Sequence, residues 1–192
     1  MFQLYLSVPE NELLVVEFRE GDAEHLPFPD GAFDLVLSTF GVMFAPNQAQ
    51  AAHEILRVCR PGGKIGLASW TPDGFTGQGF RIMAEYVSPP PGVPPPSLWG
   101  TEEGVRSLFG AGITSLNCMR RSLAFRYRSA NHYLEHYRAY FGPTIRAFEG
   151  LSAEAQERLS RAVLENMHKF NHSGDATMLV DSEYLEVVIT KR

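Results

Sequence analysis

Gly21-Asp22-Ala23-Glu24-His25-Leu26-Pro27-Phe28-Pro29-Asp30-Gly31-Ala32-Phe33-Asp34-Leu35-Val36-Leu37-Ser38-Thr39-Phe40 is the stretch on which the fold turns. It joins two apolar runs, Leu13-Leu14-Val15-Val16-Glu17-Phe18 and Phe33-Asp34-Leu35-Val36-Leu37, each of strand length. The Gly-Asp, Leu-Pro-Phe and Asp-Gly steps between them mark a turn-rich loop. Short apolar strands that end in polar residues predict a parallel sheet, whose ligands sit outside the carboxyl ends of the strands. Asp22 and Ser38 fall at two such ends.

Downstream, Asn47 is placed to cap a helix with Ala52, Ile55, Leu56 and Cys59 on one face. Arg57 and Arg60 suit its C-terminal end, and Pro61-Gly62-Gly63 is expected to stop it. Lys64 to Trp70 then reads as a strand, so strand, helix and strand form a right-handed parallel crossover. Gly77-Gln78-Gly79 reads as a loop turn before a helix over Gln78 to Val87, because no strand leads into it as a cofactor turn would require. Pro89 to Pro96 predicts an extended surface connection. Thr101 is placed to cap a helix through Phe109, with Glu102 and Glu103 in its first turn and Gly110 after it.

Leu123 to Arg128 predicts a strand. Its basic residues, Arg120, Arg121, Arg126 and Arg128, read as a solvated face, with an anion-binding patch as the alternative. Residues 131–170 read as helical, ending in a long helix opened by Ser152 with Leu159, Val163 and Met167 on one side. Tyr184 to Thr190 predicts a closing strand. At the other end, Phe2, Leu4 and Leu6 alternate as in a short strand that Pro9 soon breaks.

Composition narrows the function classes. At 192 residues, with 44% hydrophobic and 20% charged residues, the chain suits one globular domain. A net charge of -5 argues against nucleic acid or an anionic membrane as the main partner. No apolar run approaches the ~20 residues needed to span a bilayer. The opening Met1 to Leu6 lacks the basic region and apolar core of a signal peptide, so a cytoplasmic setting is expected. Cys59 and Cys118 are the sole cysteines, which predicts neither a disulfide framework nor a zinc site.

The motif Gly-Asp-Ala-Glu-x-Leu-Pro-Phe-x-Asp-x-x-Phe-Asp, followed by Arg57-Val58-Cys59-Arg60-Pro61-Gly62-Gly63, resembles the class I S-adenosylmethionine-dependent methyltransferases. The likeness is to the small-molecule enzymes related to ubiquinone and menaquinone biosynthesis, and covers about residues 15–72 most specifically. It implies a Rossmann-like α/β sheet, mostly parallel with an antiparallel last strand, and helices on both faces. One methyltransferase domain over 1–192 is expected, with a cofactor-side core at 15–72, substrate-side helices at 73–182 and a closing strand at 183–192. The family's glycine-rich turn and ribose-binding acid have no counterpart in residues 1–20, so the resemblance implies a sheet lacking its first two β-α units.

By the same resemblance S-adenosylmethionine is the expected cofactor, with Asp22 and Ala23 at its adenine and Ser38, Thr39 and Phe40 along its methionine portion. Asp22 as a turn residue satisfying nearby N–H groups, and Phe40 as hydrophobic closure, are the competing readings. Glu24 and Leu26 would flank the pocket, while Phe28 and Asp34 read as structural. Because the sulfonium supplies a ready leaving group, alignment of the reactants can dominate catalysis, and an acid-base dyad is not required. Where the acceptor needs deprotonation, His132, His136 and Tyr137 are the candidate catalytic residues. His132 and His136 have metal-ligand spacing but no HExxH and no third ligand, so no metal is expected. Trp70 and Trp99 are expected in the core or a pocket wall. Two functions compete: methyl transfer to a small-molecule acceptor, and a degenerate, non-catalytic domain that binds a partner or itself through an exposed sheet edge.

Overall fold

A computed structural model describes residues 17–88 and 91–192. The Phe33–Thr39 run forms strand β1, and Asn47 caps helix α1 (Gln48–Val58) by accepting the Gln50 N–H at 3.1 Å. Strand β2 (Cys59–Trp70) returns parallel to β1. It begins five residues earlier than expected, at Cys59 and not Lys64, and α1 stops at Val58 short of Arg60. The ladder jumps from Phe33–Cys59 to Leu35–Lys64, so Pro61-Gly62-Gly63 is taken up as an irregularity inside the strand pair. Gly62 has φ +73°, and a Cβ on Gly63 would lie 2.7 Å from Cys59 Sγ, so the two glycines make this kink possible.

Helices α2 (Phe75–Tyr86) and α3 (Glu102–Phe109) follow, then strand β3 (Ile113–Tyr127). Helix α2 starts at Phe75, which puts Gly77 and Gly79 inside it and not in a loop turn. Thr101 caps α3 through the Gly104 N–H at 3.0 Å. The helical stretch after β3 divides into α4 (Ala130–Tyr140), α5 (Gly142–Glu149) and α6 (Ala153–Phe170), the last capped by Ser152. Strand β4 (Met178–Lys191) closes the chain. Both β3 and β4 are much longer than their alternation alone had indicated, because each sustains the other in a 14-pair antiparallel ladder.

The sheet order is β1-β2-β4-β3, with β4 inserted antiparallel to both neighbours. Three strands therefore run one way and the last runs against them, as the resemblance implied. Helices cover both faces, in different halves of the β3–β4 ribbon. Leu185, Val187 and Ile189 pack with Ala51 and Ile55 of α1 and Val105 of α3. Met178 and Val180, on the opposite face by the two-residue period, pack with Phe75 of α2, Ala130 of α4 and Met167 of α6. Leu35, Leu37, Met119 and Val188 stay exposed, Leu37 the most at 67%.

The expected strand over Leu13 to Phe18 lies mostly outside the described residues, as do the alternating Phe2, Leu4 and Leu6. Glu17 and Phe18 are described and belong to no strand.

Candidate functional site

The chain turns sharply at the end of β1. Ser38 Oγ accepts the Val42 N–H at 3.0 Å, and the Phe40 N–H donates to Ala68 O at 2.8 Å. This forces Phe40 to φ +56°, the one non-glycine among the described residues with positive φ. Left-handed backbone at a bulky residue costs about 1 kcal/mol or more and persists where surroundings over-determine it. The surroundings here are aromatic: Phe40 stacks on Trp70 with centroids 4.0 Å apart and meets Tyr184 edge-on at 5.4 Å.

Phe40 and Trp70 wall a chamber of about 250 Å³. Phe80 of α2, Phe125 of β3, and Tyr133 and Tyr137 of α4 complete much of its lining, which contains no charged side chain. The tyrosine rings pack closely, Tyr133 tilted against Tyr137 at 4.3 Å and Tyr127 edge-on to Tyr133 at 5.1 Å. Burial pushes the pKa values of Tyr133 and Tyr137 well above the ordinary tyrosine value; the neighbouring phenols add to this at Tyr133, while at Tyr137 the proximity of Tyr127 adds to it and the hydrogen bond with Tyr133 opposes it. Both hydroxyls therefore stay protonated near neutrality and can donate hydrogen bonds.

The Gly21–Gly31 loop lies against α1. Asp22 makes a tight turn, its Oδ1 accepting the Glu24 N–H at 2.9 Å and its carbonyl accepting the His25 N–H at 3.0 Å. The Asp22 carboxylate is exposed and retains further acceptor capacity. Helix α1 holds the loop: Glu54 Oε2 accepts the Leu26 N–H at 2.8 Å, while Arg57 donates to Phe28 O at 2.8 Å and Leu26 O at 3.0 Å. Asp34 is the exposed partner of Arg60 beside the β2 irregularity, in keeping with a structural role.

Of the residues singled out in the sequence, Phe40 and Tyr137 meet in the chamber. Ser38 fixes the turn beneath it, Thr39 is exposed, and Asp22 and Ala23 lie exposed on the loop. His132 and His136 share a face of α4 with Tyr140 and lie beside Tyr127 of β3, outside the chamber lining, and His132 Nε2 lies 3.3 Å from an Arg128 nitrogen. No group of three or more His, Cys, Asp or Glu among the described residues is placed to hold a metal. Cys59 and Cys118 are unpaired thiols. Arg120 and Arg121 are matched across the ribbon by Glu183 and Glu186, which favours the solvated-face reading of that strand.

Tyr133, Phe80, Glu54 and Arg57 are functional candidates that the sequence did not yield. Tyr133 carried one available signal, its spacing of one helical turn from Tyr137.

Comparison with known proteins agrees with this architecture. A model of a methyltransferase domain matches residues 5–67. A Mycobacterium tuberculosis protein, itself uncharacterized, is 38% identical over 183 residues, which cover 93% of this chain and 65% of that protein. The chain thus spans about two-thirds of the length of that relative. The demethylmenaquinone methyltransferase of Deinococcus radiodurans is 38% identical over 78 residues, 40% of this chain and 32% of the enzyme. Among solved structures, the YcgJ protein of Bacillus subtilis superposes with a TM-score of 0.55 at 17% identity, over 91% of this chain and 70% of that one. Residues 5–67 thus match a methyltransferase domain, and the described sheet and helices share their fold with the Bacillus subtilis structure.

Proposed function

We propose that this chain takes part in methyl transfer from S-adenosylmethionine to an uncharged small molecule. The observation that carries the reading is the Phe40–Trp70 chamber. It lies directly beyond the carboxyl end of β1, and its walls are aromatic and free of charge. Ligands of open α/β sheets bind at such strand ends.

The residues present fit the cofactor. The exposed Asp22 carboxylate can accept from the exocyclic amine of adenine, and the Ser38–Phe40 turn offers backbone polar atoms to the methionine portion. Phe40 and Trp70 present π-faces, which attract a cation such as a sulfonium. When bound, the cofactor supplies an activated methyl group on sulfur. The chain's own residues then act by placement: the aromatic walls exclude water and orient a flat apolar acceptor. Tyr133 or Tyr137, protonated at neutral pH, can donate to an acceptor oxygen but is poorly suited to remove a proton. An acceptor that is already nucleophilic suits such a site, because alignment of the reacting atoms is then the main demand.

Titration calorimetry with S-adenosylhomocysteine tests the reading. The expected result is micromolar binding that Asp22→Ala weakens about tenfold or more, since a hydrogen bond to a charged acceptor contributes about 1.5–3 kcal/mol. No binding by the 192-residue chain at millimolar ligand would overturn it. The exposed Leu35 and Leu37 of β1, the outermost strand on its side of the sheet among the described residues, also support self-association of this chain. Sedimentation velocity would then show a dimer that Leu37→Lys dissociates; a concentration-independent monomer would contradict it.

A further inference from the structure

The loop that carries Asp22 packs mainly through Phe28, edge-on to Phe33 with centroids 4.9 Å apart. Asp22, Ala23, His25, Pro27, Pro29 and Asp30 are exposed, and its internal bonds are short-range turns. Its main chain is tied to the fold by polar contacts from α1. Glu54, only 6% exposed, is the centre of these. Its Oε2 accepts from Leu26 N–H at 2.8 Å and from Arg57 Nη2 at 2.7 Å, and its Oε1 accepts from Arg57 Nε at 2.7 Å. Arg57, locked in this two-point grip, spends its remaining donors on Leu26 O, Phe28 O and Asp30 Oδ1. The Arg57 carbonyl accepts the Gly31 N–H at 2.9 Å, so the same residue fixes the loop's far end. Glu24 adds a tie at the near end, its Oε1 accepting the Asn47 N–H at 2.7 Å and its carbonyl accepting from Gln50 Nε2 at 3.1 Å.

We infer that Glu54 and Arg57 are positioning residues for nucleobase recognition: they act through the loop backbone to hold Asp22 where it distinguishes an adenine amine from a carbonyl. This rests on the cofactor reading above. The chemistry favours a positioning role because a bidentate Arg–carboxylate pair is planar and geometrically demanding. A pair that served stability alone could be matched by an apolar contact of the same volume. Here its donors and acceptors are directed at the main chain of Leu26 and Phe28, which sets the loop's position directly. Neither residue touches the base, so their effect is read as lost discrimination.

The test compares S-adenosylhomocysteine with S-inosylhomocysteine, in which a carbonyl replaces the amine, on the wild-type chain, Glu54→Gln and Arg57→Lys. Calorimetry gives the two affinities, and amide hydrogen exchange of residues 22–31 gives the loop's order. Expected is a wild-type preference for the adenosyl ligand of about tenfold or more. In both folded variants the preference falls toward one, adenosyl affinity drops about tenfold, and the loop amides exchange faster. Should Glu54→Gln fail to fold, Arg57→Lys reads the same contacts. A folded variant that keeps wild-type affinity and preference overturns this inference alone. A wild-type chain that binds neither ligand, while its loop still loosens in Glu54→Gln, overturns the cofactor reading and this inference with it.

Discussion

At the scale of single residues, the molecule's polar investments concentrate on two positions. Glu54 is a buried carboxylate whose pKa is held down to about 2, chiefly by the hydrogen bond from Arg57 and against the cost of burial. A carboxyl with a depressed folded-state pKa adds stability above its ordinary value of 4.5, and that contribution is lost as pH falls toward 2. Acid titration of the melting temperature should therefore show a loss on the order of 2 kcal/mol through this window. In Glu54→Gln that segment of the profile should flatten; an unchanged profile would show that the pair does not contribute it. Phe40 is the second position. Phe40→Ala removes the face stacked on Trp70, and the expected result is a red-shifted tryptophan emission as water reaches the indole; unchanged emission would place the wall elsewhere. Asp22, Ser38 and Phe40 stood out as candidates in the sequence because they lie on one contiguous motif, the last two at the end of β1. Glu54 was not, since its partner Leu26 is 28 residues away and nothing in a helix's periodicity marks a buried acid as a loop anchor.

At the scale of elements, local signals predicted what local physics decides. The Asn47, Thr101 and Ser152 caps all form, each accepting a backbone N–H three residues on. Thr101→Ala should cost about 1 kcal/mol in denaturant unfolding, and a neutral result would remove the cap from the account. Tertiary approach was illegible by contrast. Gly77 looked like a loop glycine, yet α2 runs through it, and glycine is needed there because a Cβ would lie 2.1 Å from Thr71 O. Gly77→Ala is therefore expected to destabilise the protein by at least ~2 kcal/mol, read as a lower urea midpoint, although alanine is the better helix former. Stabilisation by that substitution would contradict the close packing of α2 on the β2 end. The lengths of β3 and β4 escaped the sequence for a related reason: their partners are each other across more than 50 residues, and their buried face switches midway, which blurs a two-residue alternation.

Over the whole molecule, the candidate site has two halves. The Asp22 loop, anchored to α1, forms one, and the Phe40–Trp70 chamber, closed by α2, α4 and α6, forms the other. The strand order, with β4 inserted against its neighbours, brings Phe125, Trp70 and Tyr184 together from three strands to wall that chamber or back it. No helix among the described residues is long and apolar enough to cross a membrane. The central claim is that both half-sites answer to one cofactor. Mapping backbone amide shifts of the isotope-labelled chain on addition of S-adenosylhomocysteine tests it most directly. The account predicts that amides of residues 22–26 and 38–42 move together along a single micromolar binding curve. Shifts confined to other regions, or none at millimolar ligand, would contradict it.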